Sequence, residues 1–101
     1  MMNKDSDTEL FEKLNRETAK IDWKGLEPHY AMGSLVVVSP GTDLVQVAIH
    51  FAKDNAKEIQ ALLESGQLER VQEGQAEEYG RAEATFWAVV VAPWVLIQDV
   101  K

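Results

Sequence analysis

The stretch Phe86–Ile97 reads FWAVVVAPWVLI, twelve residues without a charge, in a chain whose net charge is −7. Such a run must be hidden from water, because each buried aliphatic side chain is worth roughly 1.5–3 kcal/mol over an exposed one. It is too short for a membrane-spanning helix, which needs roughly 18 or more apolar residues, and Pro93 interrupts it. Val89, Val90, Val91 and Val95 are β-branched and stiff at χ1, which favours a pleated strand. The reading is a buried C-terminal strand, apolar on both faces from Phe86 to Ala92 and covered on both sides, with Val90 fully buried near its middle. Pro93 cannot donate to a ladder and marks a bulge or the point where the strand leaves its partner.

Working outward, Ser34–Ser39 (SLVVVS) is a second strand by composition, closed by the turn pair Pro40-Gly41. Residues 43–65 admit two readings. As a strand, 44–52 places Val45, Val47, Ile49 and Phe51 on one face, with Gln46 and His50 on the other. As a helix, Gln46, His50, Lys53, Lys57 and Gln60 form a polar stripe, but a helix over the whole segment would run about 34 Å, long for so small a domain. We take 44–52 as a strand. A shorter helix follows over 55–65, capped by Asp54, burying Ala56, Ile59, Leu62 and Leu63 and ending at Gly66.

At the N-terminus, Ser6 and Glu9 have capping-box spacing, and Leu10, Leu14, Thr18 and Ile21 recur at helical intervals. Asp22 caps a second, short helix, Trp23 to about Met32, with Pro28 inside it and Gly33 as its left-handed terminator. Leu68–Val71 reads as a minor strand and Glu73–Arg81 as a short helix weakened by two glycines. There is no repeat or linker, so residues 1–101 read as a single domain.

Composition narrows function by exclusion. Leu, Ile, Val and Phe make up about 27% of the chain, above the roughly 20% below which disorder becomes the default. With no cysteine, disulfides, thiolate metal sites and cysteine nucleophiles are out. No basic cluster exists to neutralise phosphates, so neither nucleic acid nor an anionic membrane is an expected partner. The polar N-terminal stretch MMNKDSDTELFEK lacks the apolar core of a signal peptide, which points to the cytoplasm.

Three segments, LNRETAKIDW (14–23), DLVQVAIHFAKDN (43–55) and WAVVVAPWVLIQ (87–98), resemble a family of small bacterial proteins known as a domain of unknown function. The similarity spans nearly the whole chain and is specific, since the APWVL segment is unusual. It implies a free-standing bacterial cytoplasmic protein and no particular activity, so no catalytic residue carries over from it.

Candidate chemistry is sparse. His29 and His50 are the titratable candidates, and a helical reading would place His50 and Asp54 four residues apart, half of a metal site. A metal needs about three protein ligands and spacing supplies no third, so neither a metal nor another cofactor is expected. Asp43, Asp54, Glu77 and Glu78 are explained by caps, turns and a solvated helix, and no catalytic residue is assigned. Trp23, Trp87 and Trp94 carry more information, as core or as an interface or ligand platform. Asn15, Arg16 and Glu17, near the end of the first helix, have the chemistry of a clamp for a polar ligand.

The expected fold is α+β: an N-terminal helical pair packed on a small, mostly antiparallel sheet of 34–39, 44–52 and 86–98, with helix 55–65 over one face. Few elements would then cover a very apolar strand, which predicts a homodimer with Trp94 or its neighbours Val95 and Leu96 near its interface. The favoured function is a non-enzymatic interaction or regulatory protein. The alternatives are a small-ligand module with a Trp-lined pocket and, behind it, an enzyme using His50 and Asp54.

Overall fold

The apolar run folds as a hairpin and not as one long strand. In the computed structural model, which describes residues 2–100 with side chains from Thr8 onward, β4 (Thr85–Val91) turns at Ala92-Pro93, joined by a cis peptide bond, into β5 (Trp94–Asp99). The two strands pair antiparallel from Phe86–Asp99 to Val91–Trp94. Pro93 therefore sits in the connection, where its missing N–H costs no ladder bond.

The elements run α1 (Met2–Glu17), β1 (Ala19–Asp22), α2 (Trp23–Ala31), β2 (Leu35–Val38), α3 (Leu44–Ala52), α4 (Ala56–Ser65), β3 (Leu68–Arg70), α5 (Glu73–Ala82), β4 and β5. The five strands form one sheet in the order β1-β4-β5-β2-β3. Every pairing is antiparallel except β2 with β5. The fold is α+β on a mostly antiparallel sheet, as the sequence indicated; the minor strand read at 68–71 forms one edge as β3, while the helical spacing read through Thr18 and Ile21 ends at Glu17 and 19–22 forms the other edge as β1.

The helices divide between the two faces of the sheet, so the first two are not a packed pair. On one face, Leu14 of α1 and Leu44, Val45, Val47, Ala48 and Ile49 of α3 close over Val36, Val38, Leu68, Val89 and Leu96. On the other, Trp23 and Leu26 of α2 and Ala76 of α5 close over Leu35, Phe86, Val95 and Ile97. Side chains alternate along a strand, so β5 sends Leu96 to one layer and Val95 and Ile97 to the other.

Residues 44–52 are helical, which overturns the strand reading. Asp43 takes the extended N-cap conformation and its carboxylate accepts from the Gln46 N–H at 3.1 Å. Five of the nine residues are buried, so the helix is apolar around most of its girth, and any period, two included, can be traced through it. The length objection dissolves because the chain breaks at Lys53–Asn55, with Asp54 at φ 59°, to give two helices.

The cap of α4 is Asn55, not Asp54. Ile59 and Leu62 of α4 pack against the core, whereas Ala56 and Leu63 are exposed, because α4 lies at the rim beside β3. Three other helix ends match expectation: Asp22 caps α2 by accepting from the Gly25 N–H, and Gly33 and Gly66 take the positive φ that follows α2 and closes α4. Helix α1 begins at Met2, ahead of Ser6, and the Ser6 side-chain contact expected of a capping box lies outside the described residues.

Val90 is 58% exposed, contrary to the expectation of full burial. It lies on the α2/α5 face of β4 at the end away from Trp23, opposite Val95, where neither helix reaches over it. Val95 and Leu96 are 4% and 0% exposed inside a single chain, so they are core and cannot form the dimer interface placed there.

The exchange of roles yields a stability prediction. Leu96→Ala should cost about 2–5 kcal/mol, since it empties a fully buried site between β4 and β2. Val90→Asp should cost less than about 1 kcal/mol, the span of β-propensity at a solvated position. Urea unfolding of both variants checks this, and an unfolded Val90→Asp would contradict the burial assigned here.

Candidate functional site

The three segments that carry the family resemblance meet at a single cleft of about 370 Å3. Asn15 and Thr18 come from the end of α1, Asp43, Leu44 and Val45 from the start of α3, and Trp87 and Gln98 from β4 and β5; Thr42 completes the lining. Sheet register explains the floor. Lys20, Trp87 and Gln98 lie side by side across β1, β4 and β5 on the α1/α3 face. The Lys20 ammonium sits 5.1 Å from the Trp87 ring centroid, a cation–π contact at an exposed site, and Trp87 remains 37% exposed.

Gln98 builds one wall indirectly. Its amide donates both N–H groups, to the Ser39 carbonyl at 2.8 Å and the Thr42 carbonyl at 2.5 Å. The Ser39 and Thr42 hydroxyls bond each other at 2.8 Å, and Gln67 donates to the Thr42 hydroxyl at 3.0 Å. This knits the turn that delivers Asp43 to the N-terminus of α3. Thr18 donates its hydroxyl to the Leu14 carbonyl at 2.7 Å, which ends α1 and turns the chain into β1.

Among the described residues, three polar groups of the lining have no protein partner: the Asn15 carboxamide, the Gln98 carbonyl oxygen and the second carboxylate oxygen of Asp43. With the open Trp87 face they make a site suited to stacking and hydrogen bonding. The lining holds one carboxylate and neither histidine nor cysteine, so it offers no nucleophile paired with a base.

The other sequence candidates scatter. Trp23 is 4% exposed in the opposite layer, with ring centroids of Tyr30, Tyr79 and Phe86 at 5.9, 5.3 and 6.4 Å. Trp94 is half-buried, edge-on to Phe51 at 6.3 Å, with the Arg70 guanidinium 5.4 Å over its ring. Arg16 is exposed in the last turn of α1 and, with Glu17, stands outside the cleft lining, so the expected Asn15-Arg16-Glu17 clamp contributes only Asn15. His50 is half-buried beside another depression, its Nδ1 3.2 Å from the Asn55 amide nitrogen. Asp54 sits in the turn after α3, and no group of three metal-ligating side chains forms among the described residues.

Gln98 and Lys20 are the residues that sequence reasoning passed over. Gln98 had a readable signal: it is the first polar residue after the apolar run, and it alternates onto the face of Trp94 and Leu96. Lys20 had none, because its role depends on β1 pairing with β4.

Tyr79 of α5 packs in the α2/α5 layer, where its surroundings act on its titration. Burial, then the negative charges of Asp99 and Glu69, push its phenol above the ordinary value of 10. The neutral form is thus favoured in the folded chain, and the stability this confers is present below about pH 10 and lost as pH rises through the raised value.

The matching family is described as "Protein of unknown function (DUF2288)", and it covers residues 9–99. The chain belongs to this family. It is similar to PA1075 from Pseudomonas aeruginosa, whose NMR solution structure is 43% identical, covers 91% of this chain and 85% of that one, and superposes with a TM-score of 0.81. No curated protein matches this chain. Among the described residues, no helix is long and apolar enough to cross a membrane.

One prediction concerns the cleft and one the opposite layer. Gln98→Ala removes two hydrogen bonds to turn carbonyls and should lower stability by about 1–3 kcal/mol, with faster amide exchange at Thr42 and Asp43. Unchanged exchange there would mean that the turn holds itself. For Tyr79, denaturation followed from pH 8 to 11 should show stability falling above about pH 10, and Tyr79→Phe should flatten that fall.

Proposed function

We propose that this is a non-enzymatic interaction protein of the bacterial cytoplasm that recognises its partner through the Trp87 cleft, and that the partner is a second copy of the chain. The observation carrying the reading is the convergence of the three family segments on one exposed tryptophan with a polar rim. An aromatic anchor within hydrogen-bonding groups is the usual anatomy of an interface hot spot. The patch also holds both charges, Lys20 on Trp87 and Asp43 across the cleft, so two copies related by a two-fold axis can pair each cation with the other copy's carboxylate. The net charge of −7 opposes unspecific clumping and disfavours nucleic acid and anionic membranes as partners.

A second reading uses the same cleft for a small polar ligand, favoured by the Asn15 carboxamide and the Gln98 carbonyl oxygen, which have no partner among the described residues. Sedimentation equilibrium separates the two. The dimer reading expects association in the micromolar range, weakened at least about tenfold by Trp87→Ala, the fold-change of a 1.4 kcal/mol loss. Trp94→Ala should leave association in place, since that ring packs inside the chain. A monomer at high concentration would overturn the dimer and leave the cleft to a small ligand.

A further inference from the structure

On the other face of the sheet, α2 and α5 frame a cleft of about 220 Å3 lined by Asp22, Trp23, Lys24, Glu27, Gly80 and Glu83. Its depth comes from a missing side chain. Gly80 lies within α5, where alanine would be the better helix former. A Cβ there would rest 3.6 Å from both Cδ1 and Nε1 of Trp23, so the glycine leaves the pyrrole edge of the indole open. The rest of the ring is held by Tyr30, Tyr79 and Phe86.

Trp23 is 96% buried, yet its indole N–H has no hydrogen-bond partner among the described residues. Among the described residues every fully buried side-chain nitrogen and oxygen is satisfied, so this N–H reaches open space, and the space beside it is the cleft. A donor fixed by packing on its other sides and left unpaired at the bottom of a cleft is a preorganised recognition group.

The rim supplies the rest of the chemistry. Asp22 spends one carboxylate oxygen capping α2, while Glu27 and Glu83 make no ion pair among the described residues. The nearby Arg81 is engaged by Glu78 at 2.7 Å and does not neutralise them. Three carboxylates against the single Lys24 leave the rim negative, while the floor donates a hydrogen bond.

We propose that the α2–α5 cleft is a binding site for a free small-molecule cation that also carries a hydrogen-bond acceptor, in the manner of a basic amino acid. Its acceptor takes the Trp23 indole N–H, with Lys24 in the lining available to an acidic group, and its ammonium or guanidinium faces Glu27 and Glu83. A volume of 220 Å3 equals the liquid share of about seven waters, which suits a molecule of amino-acid size. The site is separate from the Trp87 cleft and stands or falls independently of it.

The test is a titration of the 15N-labelled protein with L-lysine, with cadaverine as the cation lacking a carboxylate and glutarate as the dianion lacking an ammonium. The three indole N–H signals, assigned by Trp→Phe replacement, distinguish this cleft from the one at Trp87. L-lysine should move the Trp23 indole signal saturably, cadaverine should bind at least about tenfold more weakly, and glutarate should leave the signal still. Gly80→Ala should keep or raise the thermal midpoint by its helix preference and abolish the shift by covering the indole edge. Glu27→Gln and Glu83→Gln, both at solvated positions, should each weaken binding severalfold. No saturable movement of the Trp23 signal, equal binding of cadaverine, or undiminished binding by a folded Gly80→Ala variant would overturn the proposal.

Discussion

Leu96 and Ile97 are neighbours in sequence, point to opposite faces of the sheet, and are both 0% exposed. Water must therefore be kept from both faces of β5 at once, and a single layer of helices cannot do that. Helices α1, α3 and α4 close one side, α2 and α5 the other, and the connections of the chain follow from the need to supply both. The parallel pairing of β2 with β5 belongs to the same solution, since it places Val36 and Val38 beside Leu96 under α3, and Leu35 and Val37 beside Ile97 under α2 and α5.

Cover on both sides has a functional consequence. A chain that hides β5 by itself does not need a partner to do so, and the argument for association moves from apolar surplus to the exposed ring of Trp87 and its polar rim. Both clefts arise where a helix layer stops short of the edge strand. Thr18 and Asp22 flank and end β1, a strand of four residues, and one lines the Trp87 cleft while the other lines the cleft beside Trp23. The edge strand thus runs from one cleft to the other, about 13 Å at ~3.3 Å per residue.

Much of this was legible from local rules. Asp22 as a cap and Gly33 and Gly66 as terminators depend on contacts within four or five residues, and they stand as read; the strand at Leu35–Val38 was legible from its β-branched composition, although its ladder partners lie roughly 30–60 residues away. Helix α3 was misread because nine nearly all-apolar residues carry no usable period; only the Asp43 cap distinguished the alternatives, and a turn after Pro40-Gly41 explained that residue equally well. The candidate site was half visible. Trp87 and Asn15 stood out by type, but nothing local shows that Arg16, adjacent to Asn15, turns away from the cleft.

Composition and short-range stereochemistry determined, without any structure, that this is an acidic α+β chain with a mostly antiparallel sheet, closed by an apolar C-terminal run. Only the tertiary structure decided that the run folds back at Pro93, that Val90 faces water while Val95 does not, and that Trp23 is core, Trp94 packs against Phe51 and Arg70, and Trp87 stays open at a cleft. The physical reason is that burial belongs to a pair of surfaces. Val90 and Val95 are identical side chains on opposing strands, and what separates 58% exposure from 4% is where α2 and α5 happen to end.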